Sequence, residues 1–378
     1  PRMSYPPFKH VVYIIKENRT YDQVLGDVPG GDGDSSLVFF GRAVSPNHHA
    51  LATRFGLFDR FFTSAEVSSQ GHIWSTAADV TAYGEKLVPS AYSDRRATVD
   101  GEDADEPVDG FLWDLAAKKG VSFRDYGEML ASDGWPATQR DLGPDVSPAY
   151  PAFDLKISDQ KRADAWIAEL EGYSRTGAMP GLEILHLPND HTAGGAVGFR
   201  TPRALVADND LALGRIVDAL SRSQFWKETV VFVLEDDSQS GPDHVDSHRS
   251  VLLVISPYNH PGTYHRFVNT TDVVASIEDI LHLGRLSKYD YFSRPLMDVF
   301  ASTPDLTPYA AVPARADLDE MNAPRTAAAR LSSGLDFTAA DRVKDGLLNE
   351  ILWRIVKGSA PFSPPPDKAP LHALEASR

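Results

Sequence analysis

The 378-residue chain has no cysteine, which excludes disulfides, thiolate nucleophiles, zinc–thiolate centres and iron–sulfur clusters together. Any metal must be held by carboxylate, imidazole, amide or hydroxyl groups. No apolar run approaches the roughly 20 residues that span a bilayer, and nothing in the opening PRMSYPPFKH resembles a secretory signal. That abrupt start reads as a processed or truncated end. Positive charge is also scarce, with 37 Lys and Arg against 53 Asp and Glu for a net −16. Such a surface repels nucleic acid and anionic membrane surfaces unless a local basic patch intervenes, so no nucleic-acid partner is expected, and the lack of a long apolar run predicts no transmembrane segment. A phosphate ester is still compatible, because bound divalent cations reverse the local sign of charge. The absence of a Gly-x-Ser-x-Gly elbow argues against a serine esterase.

What is present is 42% hydrophobic residues, enough for one large α/β domain or two ordinary ones. Short apolar runs recur at His10 to Lys16, Leu182 to Leu187, Thr229 to Leu234 and Ser250 to Ile255. Each has the unbroken character of a strand buried on both faces of a parallel sheet. Helical patterns lie between them, at Asp109 to Lys119, from Thr201-Pro202 through Leu220, and from Thr271. A short strand is expected at Val121 to Arg124. Alternation of this kind predicts an α/β fold with a mostly parallel central sheet covered on both sides. The stretches at about 83–109 and 126–151 lack a period and read as surface insertions, and the acidic run Asp100 to Glu106 reads as a solvated loop. The glycine-rich segment 26–36 lacks the ligand spacing of a calcium loop and reads as flexible. Residues 1–300 are expected to form the main domain, with 301–378 a C-terminal extension or linker carrying one helix at Ala339 to Val356.

Polar groups follow the strands at chemically useful places. Glu17 and Asn18 come after the first run, Asp190 and His191 after the second, and Asp236 and Asp237 after the third, while His248 precedes the fourth. In an open α/β sheet ligands collect beyond the strands' carboxyl ends. Two adjacent carboxylates there repel each other, and a divalent cation between them relieves this. Taken singly, the aspartate pair also suits a turn and each histidine suits a structural partner.

Lys16-Glu17-Asn18-Arg19-Thr20-Tyr21-Asp22 resembles the opening motif of a bacterial phosphoesterase family that includes phospholipases C and a class of acid phosphatases. Asp236-Asp237-Ser238-Gln239-Ser240-Gly241-Pro242-Asp243-His244-Val245 and the strand after it resemble that family's second signature. Leu112 to Tyr126 and Thr270 to Leu283 are similar to further parts of it, so the likeness spans most of residues 8–300. The resemblance implies an alkaline phosphatase-like α/β/α sandwich and metal-dependent hydrolysis of a small-molecule or lipid phosphate ester. It also implies a secreted or periplasmic location. By carry-over a nucleophile starts a helix within Ser64 to Trp74. Ser69 takes that place, with Ser68 the neighbouring alternative, and His72 falls where relatives often carry a phosphate-binding Asn. His72, His244 and Asn18 become candidates to hold phosphoryl oxygens or protonate the leaving group. One ion would lie among Glu17 or Asn18, Ser69, Asp236 and Asp237, and a second among Asp190, His191 and His248. Zinc, calcium, manganese and iron all suit such groups. Gly194 departs from the superfamily pattern, which expects a second-site histidine there. The rival reading is a noncatalytic module that keeps the fold and binds a phosphorylated ligand or a partner. A sulfatase is disfavoured because Ser69-Gln70-Gly71-His72-Ile73 lacks the Cys/Ser-x-Pro-x-Arg pattern.

Overall fold

The computed structural model describes residues 4–92, 104–129, 142–239, 241–338 and 341–362. Parts of the two expected insertions, most of the acidic run and the end of the C-terminal extension lie outside these residues.

Seven strands are relevant: β1 (His10–Lys16), β2 (Leu57–Phe58), β3 (Phe61–Phe62), β4 (Phe123–Tyr126), β5 (Leu182–Leu187), β6 (Thr229–Glu235) and β7 (Leu252–Ile255). Five form the main sheet in the order β4-β5-β1-β6-β7. All pairs are parallel except β6 with β7, which is antiparallel. β1 therefore occupies the centre. Its last residue, Lys16, is in register with Leu187 on one side and Glu235 on the other, so three strand ends meet at one edge.

Side chains alternate across a strand, and here alternation assigns each residue to one of two helical layers. Val11, Tyr13 and Ile15 of β1, with Ile184 of β5 and Phe232 of β6, pack on the front layer. That layer includes helices α3 (Ser68–Ala77), α5 (Leu112–Lys119) and α8 (Thr270–Leu281). Val12 and Ile14 face the back layer, where α2 (Pro46–Phe55), α6 (Asp159–Thr176) and α7 (Pro202–Ser221) lie. The α/β/α sandwich expected from the sequence is thus present. Its fourth strand begins at Phe123 rather than Val121, and α6 went unrecognised in the sequence. A helix, α4 (Ala82–Tyr92), occupies part of what reads as a periodless insertion.

Two local details position the site. Thr20 and Gln23 close a capping box on the short α1 (Tyr21–Leu25), each side chain accepting the other's backbone N–H. This fixes the turn directly after β1, and Asn18 enters it in the left-handed region at φ 68°, a region Asn tolerates better than most residues. On α3, a Cβ at Gly71 would lie 2.6 Å from the Asp236 carbonyl oxygen. Only glycine lets the helix approach the end of β6 so closely.

The glycine-rich segment is anchored, not loose. Asp27 pairs with His49 at 2.6 Å, Asp32 pairs with Arg60, and the Asp34 N–H donates to Asp22 at 2.9 Å. At the other end of the chain, beyond the short α9 (Lys288–Tyr291), α10 (Ala327–Ser332) and α11 (Asp345–Lys357) lie against the 193–196 turn. Leu348, Leu352 and Trp353 join a third apolar cluster with Phe39, Phe40 and Ala193.

Candidate active site

Extending the alternation past the strand ends places Glu17, His186 and Asp236 on the front face. All three are buried, and α3 brings His72 and Ser68 to meet them. His186 Nε2 lies 2.8 Å and His72 Nε2 3.1 Å from Glu17 Oε1. Ser68 Oγ lies 3.3 Å from the other oxygen, Glu17 Oε2. The Asn18 amide nitrogen is 2.7 Å from Ser68 Oγ and 2.7 Å from Asp237 Oδ1. His72 Nδ1 is held at 2.8 Å by Glu128, and its Nε2 is 3.6 Å from Asp236.

Burial works to raise the Glu17 carboxyl, but hydrogen bonds from His186 and His72 overcome it and hold Glu17 well below the usual carboxylate range. Burial works to neutralise His72, and the charge and hydrogen bond of Glu128 outweigh it, keeping the ring protonated. Asp236 is driven far upward by burial and by the charges of Asp237 and Glu17. Asp237 is raised by burial and by Asp341 and Asp345, with Asn18 opposing.

These groups fit a divalent cation. Both oxygens of Asp236, Asp237 Oδ2 and Asn18 Oδ1 are buried without a hydrogen-bond partner. Buried acceptors in native proteins are normally satisfied, and a cluster of unsatisfied oxygens beside two raised carboxyls is the environment a hard or borderline cation requires. Glu17, His72 and His186 also offer ligand atoms within 4.8 Å of one another.

The remaining sequence candidates do not join this cluster. Asp190 points away from it: its Oδ2 is 2.6 Å from Lys16 Nζ, and its Oδ1 accepts the Glu17 backbone N–H at 3.1 Å. Lys16 also pairs with Glu235 at 2.9 Å. An ammonium therefore already balances the carboxylates where a second ion was expected. Burial opposes the Lys16 charge, yet Asp190 and Glu235 keep it protonated. His191 Nδ1 is 2.8 Å from the Thr192 carbonyl. Gly194 adopts φ +51°, and a side chain there would meet Ser332, Ile351 and Leu348, so the C-terminal helices fill the space of the absent histidine. His248 lies toward the surface between Glu66 and Asp246, each 2.9 Å away. Hydrogen bonding to Glu66 raises it to about 9, and both ring nitrogens are already engaged by carboxylates. His244 is bound to Asp22 at 2.6 Å beside Asp243. There the Arg249 guanidinium, 3.0 Å from Asp22 and 2.9 Å from Asp243, already supplies the cation. Among the described residues no hydrogen bond joins Ser69 to Glu17, Asn18 or the aspartate pair, whereas Ser68 makes two such contacts.

Sequence reasoning missed His186, Glu128 and Lys16. The missed signal for His186 was parity, since it follows Leu182 and Ile184 on the front face.

In known structures the fold recurs at low sequence identity. A protein of the alkaline phosphatase superfamily from Vibrio parahaemolyticus is 18% identical over 75% of this chain and 71% of that one, with a TM-score of 0.52. The lipoteichoic acid synthase LtaP from Listeria monocytogenes is 12% identical over 77% and 76%, with a TM-score of 0.53. A putative sulfatase from Bacteroides thetaiotaomicron is 13% identical over 81% and 76%, with a TM-score of 0.50. The architecture is that of the alkaline phosphatase superfamily. The sequence profile described as the Phosphoesterase family matches residues 31–284, more than half of the chain, and the protein belongs to that family. Membership places it among ester hydrolases. No curated protein matches it in sequence. Among the described residues no helix is long and apolar enough to cross a membrane.

Proposed function

We propose that the protein is a metal-dependent phosphoric ester hydrolase with Ser68 as nucleophile. The observation that carries this reading is the setting of the Ser68 hydroxyl. It opens helix α3, touches the Asn18 amide and Glu17, and shares Asn18 with Asp237, beside the unsatisfied oxygens of Asp236. The matching fold alone spans phosphate and sulfate chemistry, and the family match favours the phosphate ester.

Asp236, Asp237, Asn18 Oδ1 and Glu17 would hold one divalent ion, with His186 on the nitrogen-bearing side. When bound, such an ion lowers the pKa of a nearby hydroxyl and neutralises phosphoryl charge. The Asn18 amide orients Ser68 Oγ, and Glu17 Oε2 accepts its hydrogen. Attack forms the Ser68 Oγ–P bond and breaks the P–O bond to the alcohol, which departs with a proton. His72, kept protonated by Glu128, is the donor within the cluster. Water then cleaves the phosphoserine and releases phosphate. The first backbone N–H groups of α3 would face the transferring group, as helix N-termini do toward anions.

The substrate class is a small-molecule or lipid phosphate ester, and a secreted or periplasmic setting accords with the family resemblance. The test is turnover of a chromogenic monoester and a chromogenic diester by the full chain, across zinc, calcium, manganese and iron, for wild type, Ser68→Ala and Ser69→Ala. Activity that survives Ser68→Ala overturns the assignment. Absence of turnover and of metal uptake favours the noncatalytic module.

A further inference from the structure

The C-terminal extension reaches into the site. Asp341 Oδ1 accepts the Ser68 backbone N–H at 2.8 Å, and Asp341 Oδ2 accepts the Ser69 N–H at 2.5 Å. One carboxylate thus spans the first two N–H groups of the ten-residue helix that carries the proposed nucleophile. Those are the donors a helix leaves unsatisfied and an anion seeks.

Several features show that this contact is built in. Asp341 adopts φ 59°, a strained conformation that persists only when its surroundings enforce it. Four residues on, α11 begins, and its Asn349 amide donates to the Gln239 carbonyl at 2.9 Å, two positions past Asp237. Leu348 and Ile351 of the same helix cover Gly194. The extension is therefore fixed both just past the aspartate pair and at the 193–196 turn. Electrostatics alone would expel another carboxylate from a site already holding Glu17, Asp236 and Asp237, so the paired N–H bonds are what retain it. A phosphoryl group presents two oxygens with the same charge and a similar spread.

We propose that Asp341 is an intramolecular competitor of the substrate, seated where phosphoryl oxygens bind and displaced when an ester enters. The proposal rests on the phosphoester reading above. It makes the extension a determinant of affinity: only the fraction of molecules with the seat vacated binds, so apparent affinity falls by that fraction. The bond-making groups at Ser68 Oγ are untouched, so the effect falls on KM and on product inhibition more than on kcat.

The experiment compares full-length wild type with Asp341→Ala and the near-isosteric Asp341→Asn. It measures the inhibition constant of inorganic phosphate, KM and kcat for a chromogenic monoester, and phosphate binding by calorimetry. If the seat is open roughly a tenth of the time, Asp341→Ala tightens phosphate and lowers KM by about tenfold, with a smaller change in Asp341→Asn. An unchanged or weakened phosphate affinity in both folded variants overturns the proposal, as does weakened metal uptake accompanied by a higher KM. A wild type that turns over no phosphate ester instead overturns the parent reading, and the calorimetric comparison still decides whether Asp341 holds an anion seat.

Discussion

The amide of Asn18 and the hydroxyl of Ser68 meet at 2.7 Å, across 50 residues of chain, because the left-handed turn after β1 aims one at the first turn of α3, where the other stands. If this pair orients the nucleophile, Ser68→Ala loses about three or more orders of magnitude in kcat, while Ser69→Ala stays within about tenfold of wild type. Asn18→Ala falls between them, by roughly 10²–10³ as for lost transition-state donors. Steady-state kinetics on metal-loaded protein read all three.

Asp236 and Asp237 lie buried with their repulsion unrelieved by hydrogen bonds to Asp236. In protein stripped of divalent ions, Asp236→Asn should therefore melt higher than wild type, since the fold no longer has to take up a proton to bury that side chain. On adding metal the order should reverse, because wild type gains binding free energy that the variant lacks. Thermal melts with and without chelator check both signs. A wild type whose melting ignores metal would count against the site.

Lys16 offsets Asp190 and Glu235 with almost no solvent contact. Breaking a buried pair by removing one partner costs about 3–5 kcal/mol, so Lys16→Met should be strongly destabilised, and added metal should not restore it. Denaturant unfolding measures this. Recovery by metal would show instead that a second ion can replace the ammonium.

His248 is raised to about 9, chiefly by its bond to Glu66, with Asp246 assisting. A histidine whose folded pKa is raised contributes stability that is fully present below its unfolded pKa of about 6.5, and loses it as pH climbs through the folded value. The pair is partly exposed, so screening holds the contribution to about 1 kcal/mol. His248→Gln should lower the melting temperature at pH 6 and make little difference near pH 10. A deficit that stays constant across that range would rule out the ionic origin.

The strands and the oxygen-rich half of the site were legible in the sequence because apolar runs end abruptly at Glu17 and Asp236. Burial on both faces writes such runs plainly, and polar residues just beyond them have few other places to go. His186 was hidden for the converse reason, lying inside a run where a histidine reads as one more core residue. Ser68 and Ser69 differ by one position, but on a helix one position is about 100° of rotation, which no motif offset resolves. Asp190, His191 and His248 sit where expected along the chain. Lys16 and Glu66, the partners of Asp190 and His248, were brought there by tertiary packing, which sequence spacing does not encode, while His191 turns back on the carbonyl of its neighbour Thr192. Glu128 was obscure because it arrives from a segment without periodicity, and Asp341 because it falls in the helix expected at Ala339 to Val356, which in the structure begins only at Asp345.

Consecutive residues of β1 end on opposite sides of the sheet, so Lys16 and Glu17 share a peptide bond yet belong to separate compartments. The back compartment is neutralised from within, Lys16 lying 2.6 Å from Asp190 and 2.9 Å from Glu235, whereas the front one is left with the bare oxygens of Asp236. One peptide bond thus separates a side of the sheet that carries its own counter-charge from a side that must borrow one, in the way a battery keeps its two half-cells a membrane apart.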